Sequence, residues 1–408
     1  MLSSQAALFF IALLTLAIAF DSLAQKLRVP NCILLIVLGF VSSELLTRVF
    51  DFDTGIRWQS FQFVILHVFL PIIIFQSALK LNIRIILKDF IPLFLLSLPL
   101  MLIAVLITAT VLFYGIDFPE FFSWHTALIC GALLSATDSS SVVQILKQMK
   151  APKRLITLLE SESLLNDATA VVLFTFLLSV TTIFGESDNW QSIGTSFIEV
   201  FSGGIAIGVL TGLGGCLILS RFKTEFATTT VSILAAYGAY ILASDILQFS
   251  GVMAVLSAAL TLSKIPRLDG EPRVDDFTQN FWQFAAQLTD NMVYLLAGIS
   301  ITLIMFREQW LTMLLAIVSV LIARSIITLI LLPLICRLFP ISAIPFRQLL
   351  ILNWGGTRGT VTMALALSLP LSLDAWFSVQ SAAYGVILFS LFFQSGSIAY
   401  LTEKLQLS

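Results

Sequence analysis

The sequence predicts an all-α polytopic membrane protein of about thirteen transmembrane helices, arranged as two inverted six-helix repeats joined by a linking helix. Three observations predict it: an apolar composition, apolar segments of bilayer-spanning length, and basic residues gathered on one side of those segments. Of the 408 residues 58% are hydrophobic and 11% charged, with a mean hydropathy of +0.99. That is too little polar surface to cover a soluble globule of this length. The net charge of −2 is uninformative, because in a bilayer the position of charges matters and not their sum. The lipid bilayer is the expected partner, and nucleic acid is not. The four cysteines, Cys32, Cys130, Cys216 and Cys336, fall in or beside apolar stretches without CxxC spacing, and read as small core residues rather than metal ligands or disulfides.

With about 20 apolar residues needed per crossing, the segments lie near residues 5–23, 29–47, 61–79, 90–113, 125–146, 155–184, 192–220, 228–247, 250–263, 279–305, 310–336, 347–369 and 375–401. The first run, Ala6 to Phe20, has neither a basic leader nor a small-residue cleavage site, so it reads as a retained first helix and not a signal peptide. No soluble domain is expected at either end. With the N-terminus outside, seventeen of the 22 basic residues fall in cytoplasmic loops and the tail, among them Lys26, Arg84, Lys147, Lys264 and Lys404. Arg48, Arg57 and Arg307 fall outside, and Arg324 and Arg358 within the membrane. So one-sided a split supports an odd number of crossings with a cytoplasmic C-terminus, since one missed helix would scramble the alternation.

The chain 1–408 is read as one membrane unit. A first repeat, 1–184, contains the interrupted segment 125–146, and a second, 228–401, contains the interrupted segment 347–369; the helix 192–220 links them. The interruptions are Ser135-Ala136-Thr137-Asp138-Ser139-Ser140-Ser141 and Asn353-Trp354-Gly355-Gly356-Thr357-Arg358-Gly359, each in the fifth segment of its half. Paired interruptions at corresponding places point to a transporter with its site at the membrane midplane. The halves share no residue-level similarity, so the repeat rests on position alone. In the linking helix Gly204, Gly208 and Gly212 recur every fourth residue, which lets another helix approach closely; that helix belongs either to the same chain or to a second copy.

The chemistry concentrates in Glu162-Ser163-Leu164-Leu165-Asn166-Asp167, where two carboxylates and an amide lie within an apolar run. A charge at mid-membrane costs roughly 2.5 to 3.5 kcal/mol on insertion scales, so an intramembrane acid marks a functional site. At a rise of about 1.5 Å per residue, Asp138 and Asp167 both come to mid-depth on adjacent antiparallel segments. Two carboxylates, the Asn166 amide and the Ser163 and Thr137 oxygens then surround one small cavity. Ser163 and Asp167, four apart, share a helix face. Hard oxygens suit a small dehydrated cation such as sodium, whereas softer metals want Cys or His, and the two histidines, His67 and His125, read as packing or interfacial residues. Burial favours the protonated form of a carboxylate and a bound cation the ionised form. One buried Asp therefore holds a proton or a cation, and that competition is a transport mechanism. An alternative for Asp138 is a cap on a broken half-helix, and for Asp167 a permanently neutral or paired state.

Arg324 and Arg358 have only buried acids to answer them. Glu162 is the expected partner of one, holding the core helices together, because a buried guanidinium stays charged and carries no titrating proton. Glu160 and Asp245, nearer the surfaces, read as solvated. Asp290, beside Thr289 and Asn291, has two open readings, helix packing and the ion path.

Thr137-Asp138, the run from Leu158 through Glu162 and Asp167 to Ala168, and Trp354-Gly355-Gly356-Thr357-Arg358-Gly359 closely resemble the signatures of NhaP-type sodium/proton antiporters of the monovalent cation:proton antiporter (sodium/hydrogen exchanger) family. The resemblance spans nearly the whole chain. It implies a transporter and not an enzyme, without cofactor, in the NhaA-like antiporter fold: a homodimer in the plasma (inner) membrane with a dimerisation domain and a mobile core. It implies that Asp167 carries the cation and the proton, with Ser163 and the Thr137 backbone as further sodium ligands and Asn166 organising the site. It further implies that Asp138 balances the broken-helix ends, that Glu162 pairs with Arg324, and that Asn166, where electrogenic relatives have a second Asp, makes the exchange electroneutral. One departure stands out. After the stretch matching Leu70-Pro71-Ile72-Ile73-Ile74-Phe75 the family usually has an acid, and here Gln76 follows, as either an altered part of the ion path or a packing residue. The function expected is sodium or lithium exchange for protons, serving pH and sodium homeostasis. Potassium/proton exchange on the same fold, a cation channel and a non-transporting membrane sensor are the alternatives.

Overall fold

The computed structural model describes Thr15 and residues 31–49, 61–80, 99–116, 122–183, 190–222, 224–264, 274–338 and 344–405. Apart from Thr15, the expected crossing 5–23 lies outside the described residues, as do several of the basic loops, including Lys26, Arg28, Arg84, Lys88, Arg267 and Arg273. Among those described, every regular element is helical, as it must be where no water is available to satisfy an open backbone.

In chain order the helices are α1 (Asn31–Val49), α2 (Gln62–Leu79), α3 (Pro99–Gly115), α4 (Trp124–Ser135), α5 (Ser140–Gln148), α6 (Lys153–Ile183), α7 (Trp190–Arg221) and α8 (Glu225–Ile246). Then come α9 (Gly251–Lys264), α10 (Asp276–Ser300), α11 (Leu303–Glu308), α12 (Trp310–Leu338), α13 (Phe346–Trp354), α14 (Thr360–Leu367) and α15 (Trp376–Lys404). Among the described residues seven spans are long and apolar enough to cross a membrane, that of 124–148 running through the α4–α5 break. Helices α2, α8, α12 and α15 each contain one π-helical turn, a local under-winding to i→i+5 hydrogen bonds that periodicity does not reveal. The segment expected over 279–305 is shorter than read: α10 stops at Ser300, and Ile301 and Thr302 are extended before α11 begins.

Close backbone approaches hold this bundle together. A Cβ on Gly204 would strike the Ser250 carbonyl, one on Gly208 the Ala254 carbonyl and one on Gly212 the Thr261 side chain, so the glycine stripe of α7 faces α9 of the same chain. Gly39 of α1 and Gly298 of α10 likewise face each other, a Cβ on either lying 3.0 Å from the other's Cα. Trp282, fully buried, packs its ring 4.4 Å from that of Phe75 and donates from Nε1 to Ser232 Oγ at 2.8 Å. Asp245, expected to be simply solvated, stays exposed but brings Oδ1 to 3.4 Å from His67 Nε2, where the π-helical turns of α2 and α8 meet. All four cysteines are free, Cys130 and Cys216 buried and Cys32 and Cys336 half-buried.

Because the α7 stripe has no room for a methyl, Gly208→Ala should lower the thermal unfolding midpoint of the detergent-solubilised protein, over-packing typically costing about 1 to 3 kcal/mol. Gly194→Ala, where nothing lies within 4 Å of the added atom, should leave the midpoint unchanged or raise it.

Candidate functional site

The site is built where two helices break. Helix α4 ends at Ser135, residues 136–139 are irregular, and α5 starts at Ser140; α13 ends at Trp354, and α14 starts at Thr360 after 355–359. Both interruptions fall within two residues of the expected ones. Ser, Thr and Asp compete with the helical backbone for hydrogen bonds, which accounts locally for the first break. The glycines of the second serve close packing. A Cβ on Gly356 would lie 2.6 Å from Arg324 Nε, and one on Gly359 would collide with the Asp138 carboxylate.

The two breaks cross and satisfy each other. Asp138 N donates to Thr357 O at 2.8 Å, and the Thr357 hydroxyl donates back to Asp138 O. Thr362 Oγ1 donates to Ala136 O at 3.3 Å. The charged groups then divide the helix ends between them. Asp138 Oδ1 accepts from Ser140 N at 3.0 Å at the start of α5, and the same carboxylate lies against Gly359 at the start of α14, so one negative charge faces two positive dipole ends. Arg358 donates from Nε to Leu134 O at 2.5 Å and from Nη1 to Gly356 O at 2.6 Å, so one positive charge serves carbonyls at the ends of α4 and α13.

Helix α6 docks onto this crossing. Ser163 Oγ donates to Thr137 O at 2.5 Å and accepts from Ser139 N at 3.3 Å, and Ser139 Oγ donates to Leu159 O at 2.9 Å. Asn166 Nδ2 donates to Thr137 Oγ1 at 3.2 Å and to Glu162 Oε1 at 3.4 Å. Glu162 and Arg324, 5% and 8% exposed, form a two-point ion pair: Nη1 to Oε1, and Nη2 to Oε2 at 3.1 Å. Arg324 Nη2 also donates to Leu352 O at 2.9 Å. Of the two arginines that sequence left open as partners of Glu162, Arg324 takes the acid and Arg358 the helix-end carbonyls.

Asp167 completes the set one turn beyond Ser163. The residue is half-buried, its Oδ1 is closed off from solvent without a hydrogen-bond partner, the Thr137 backbone reaches it, and the charges of Asp138, Arg358 and Asp290 act on it. Ser163 Oγ, the Thr137 carbonyl and the Asp167 carboxylate thus stand together as hard oxygens, with Asn166 behind them. Asp290 stands beyond, on α10, with its charge reaching Asp167, Tyr294 and Cys32. Tyr294 accepts from Thr360 Oγ1 at 3.2 Å, a contact that sequence reasoning missed because an apolar helix gives a tyrosine no distinguishing signal. Gln76 is buried on α2, and among the described residues no hydrogen bond joins it to these groups.

Broken helices that cross beside a buried acid, in a polytopic helical protein, define the class of secondary transporters. Residues 9–404 match the profile of the family described as sodium/hydrogen exchanger, transmembrane, and the chain belongs to that family. It is similar to the Na(+)/H(+) antiporter NhaG of Bacillus atrophaeus, 32% identical over 408 residues, covering 97% of this chain and 74% of that protein. It is also similar to the Na(+)/H(+) antiporter ApNhaP of Aphanothece halophytica, 29% identical over 381 residues, covering 93% and 70%. The solved structure of the sodium proton antiporter MjNhaP1 from Methanocaldococcus jannaschii at pH 8 superimposes with a TM-score of 0.77 over 99% of each chain at 20% identity, a likeness of fold. The NhaP-type resemblance of the sequence motifs therefore holds.

Removing one member of the buried ion pair strands the other charge, at a typical cost of about 3 to 5 kcal/mol. Arg324→Ala should accordingly lose most folded protein in a size-exclusion assay, and adding Glu162→Gln should recover part of it. Equal loss in the single and double variants would show that the two residues do not act as a pair.

Proposed function

We propose that this protein is a secondary active antiporter of the plasma membrane that exchanges sodium, or lithium, for protons at the single carrier carboxylate Asp167. The observation that carries this reading is the buried, unpartnered Asp167 Oδ1 beside the Ser163 hydroxyl and the Thr137 carbonyl. Asp138 and Arg358 are occupied by the helix ends and Glu162 by Arg324. Asp167 is then the acid of the cluster with a free valence for cargo.

Each half-cycle follows from competition. A cation reaching the site displaces the proton of Asp167 and takes the Asp167 carboxylate, Ser163 Oγ and Thr137 O as ligands; a proton arriving from the other side displaces it. Either load neutralises the one uncompensated charge, so both loaded forms cross the low-dielectric barrier and the empty, ionised form does not. Asn166 adds an amide and no charge, which makes the exchange one for one and electroneutral. Alternating access is an elevator-like movement of the core that carries the crossed breaks. The thirteen-crossing inverted-repeat architecture, the external N-terminus, the cytoplasmic C-terminus and the homodimer belong to the same proposal. Potassium/proton exchange is the second reading, favoured by the buried amide of Gln76 where the family resemblance calls for an acid.

The test is proton movement in proteoliposomes holding a pH gradient, on adding sodium, lithium or potassium, with and without a voltage clamp. Dissipation of the gradient by the cation, unaffected by voltage, is the expected result, and a current carried by the added cation with no protons moved in exchange would instead mean a channel. Silence toward all three ions would leave the sensor reading. Asp167→Asn should fold, insert and exchange at background. In the wild type, once the pH falls below that at which Asp167 binds its proton, the sodium concentration for half-maximal exchange should rise about tenfold per pH unit, as one-for-one competition requires.

A further inference from the structure

Behind the carrier, on the side of the Glu162–Arg324 pair, lies a cavity of about 20 Å³ whose wall includes Ser135, Thr137, Glu162, Asn166, Arg324 and Arg358. Two of these residues keep an unused polar atom. Asn166, 4% exposed, spends Nδ2 on Thr137 Oγ1 and Glu162 Oε1, and its Oδ1 is buried without a partner. The amide is held in that orientation, since turning it over would set Oδ1 against the Glu162 carboxylate. Arg324 spends both terminal nitrogens on Glu162 and Leu352 O, and its Nε is buried without a partner.

The two residues that carry the unmet acceptor and the unmet donor thus line one small chamber. Its size admits a single water, which needs about 10–15 Å³ and two to four polar partners, and excludes polyatomic anions. Its charge excludes a cation: two guanidinium groups and one carboxylate line it, so a second positive ion would meet net repulsion. The occupant must be small and neutral, and must donate and accept at once.

We propose that this cavity is a binding site for one ordered water molecule, which donates to Asn166 Oδ1 and accepts from Arg324 Nε. The water extends the ion pair into a continuous chain from Arg324 through Asn166 to Thr137, and so fixes the amide next to Asp167 without adding charge to the site. Asn166 is then a positioning residue held by Thr137, by Glu162 and by a solvent molecule together, and the small side chains of Ala104 and Ala323 in the same wall leave room for the water. This inference does not depend on which cation is carried.

The test is a cryo-EM map of the full chain in lipid nanodiscs, at a resolution where ordered waters are visible, prepared in sodium-containing and in sodium-free buffer. The expected result is an isolated density within hydrogen-bond distance of Asn166 Oδ1 and Arg324 Nε in both buffers. It should vanish in Ala323→Val, or in Ala104→Val, which fills the chamber from α3; the filled variant should need several-fold more sodium for half-maximal exchange while keeping its maximal rate. A chamber without density in a map that shows other buried waters would overturn the proposal. So would density found only with sodium, which would make the site a cation site. Should neither filling variant fold, the two wild-type maps decide alone.

Discussion

The constraint on which the rest of this structure depends is that a helix broken inside a membrane leaves backbone groups that no lipid can satisfy. Two helices break here, and each supplies what the other lacks. Their main chains exchange hydrogen bonds at Asp138 and Thr357, and the charges of Asp138 and Arg358 are placed against opposite helix ends. Each of these side chains is thus engaged by the backbone at the crossing. The same accounting leaves the Asp167 Oδ1 without a partner, and the proposed exchange rests on that carboxylate.

The Glu162–Arg324 pair has a different task. It joins α6, which carries Asp167, to α12 and, through Leu352 O, to α13. A buried ion pair of this kind contributes little net stability against an apolar replacement of the same shape. Glu162 also accepts from Asn166, so the pair is tied directly to the amide that immediately precedes Asp167. Gly356 makes that possible, because any side chain there would occupy the space of the Arg324 guanidinium.

Much of this was legible in the sequence, and what was not has physical causes. Composition and segment length gave the helical membrane class, and the polar and glycine-rich interruptions located both breaks. The Glu-Ser-Leu-Leu-Asn-Asp run named Asp167, Ser163 and Asn166 before any contact was known. The role of Arg358 was hidden because its partners are the Leu134 and Gly356 carbonyls, and a backbone acceptor has no residue signature. Glu162's partner stayed open on residues alone, since both intramembrane arginines were equally suited in type and only the 162-residue return of the chain brings Arg324 to it. The glycine stripe of α7 announced a close approach without saying to what. The stop of α10 at Ser300 and the π-helical turns leave the apolar pattern nearly unchanged, so periodicity missed them.

The central claim is that one carboxylate alternates between proton and cation. It is tested most directly by counting protons released when sodium binds the purified protein in weakly buffered detergent solution, at a pH where Asp167 is protonated. The account predicts about one proton per bound sodium in the wild type and none from Asp167→Asn. Sodium binding without proton release in the wild type, or undiminished release from Asp167→Asn, would contradict it.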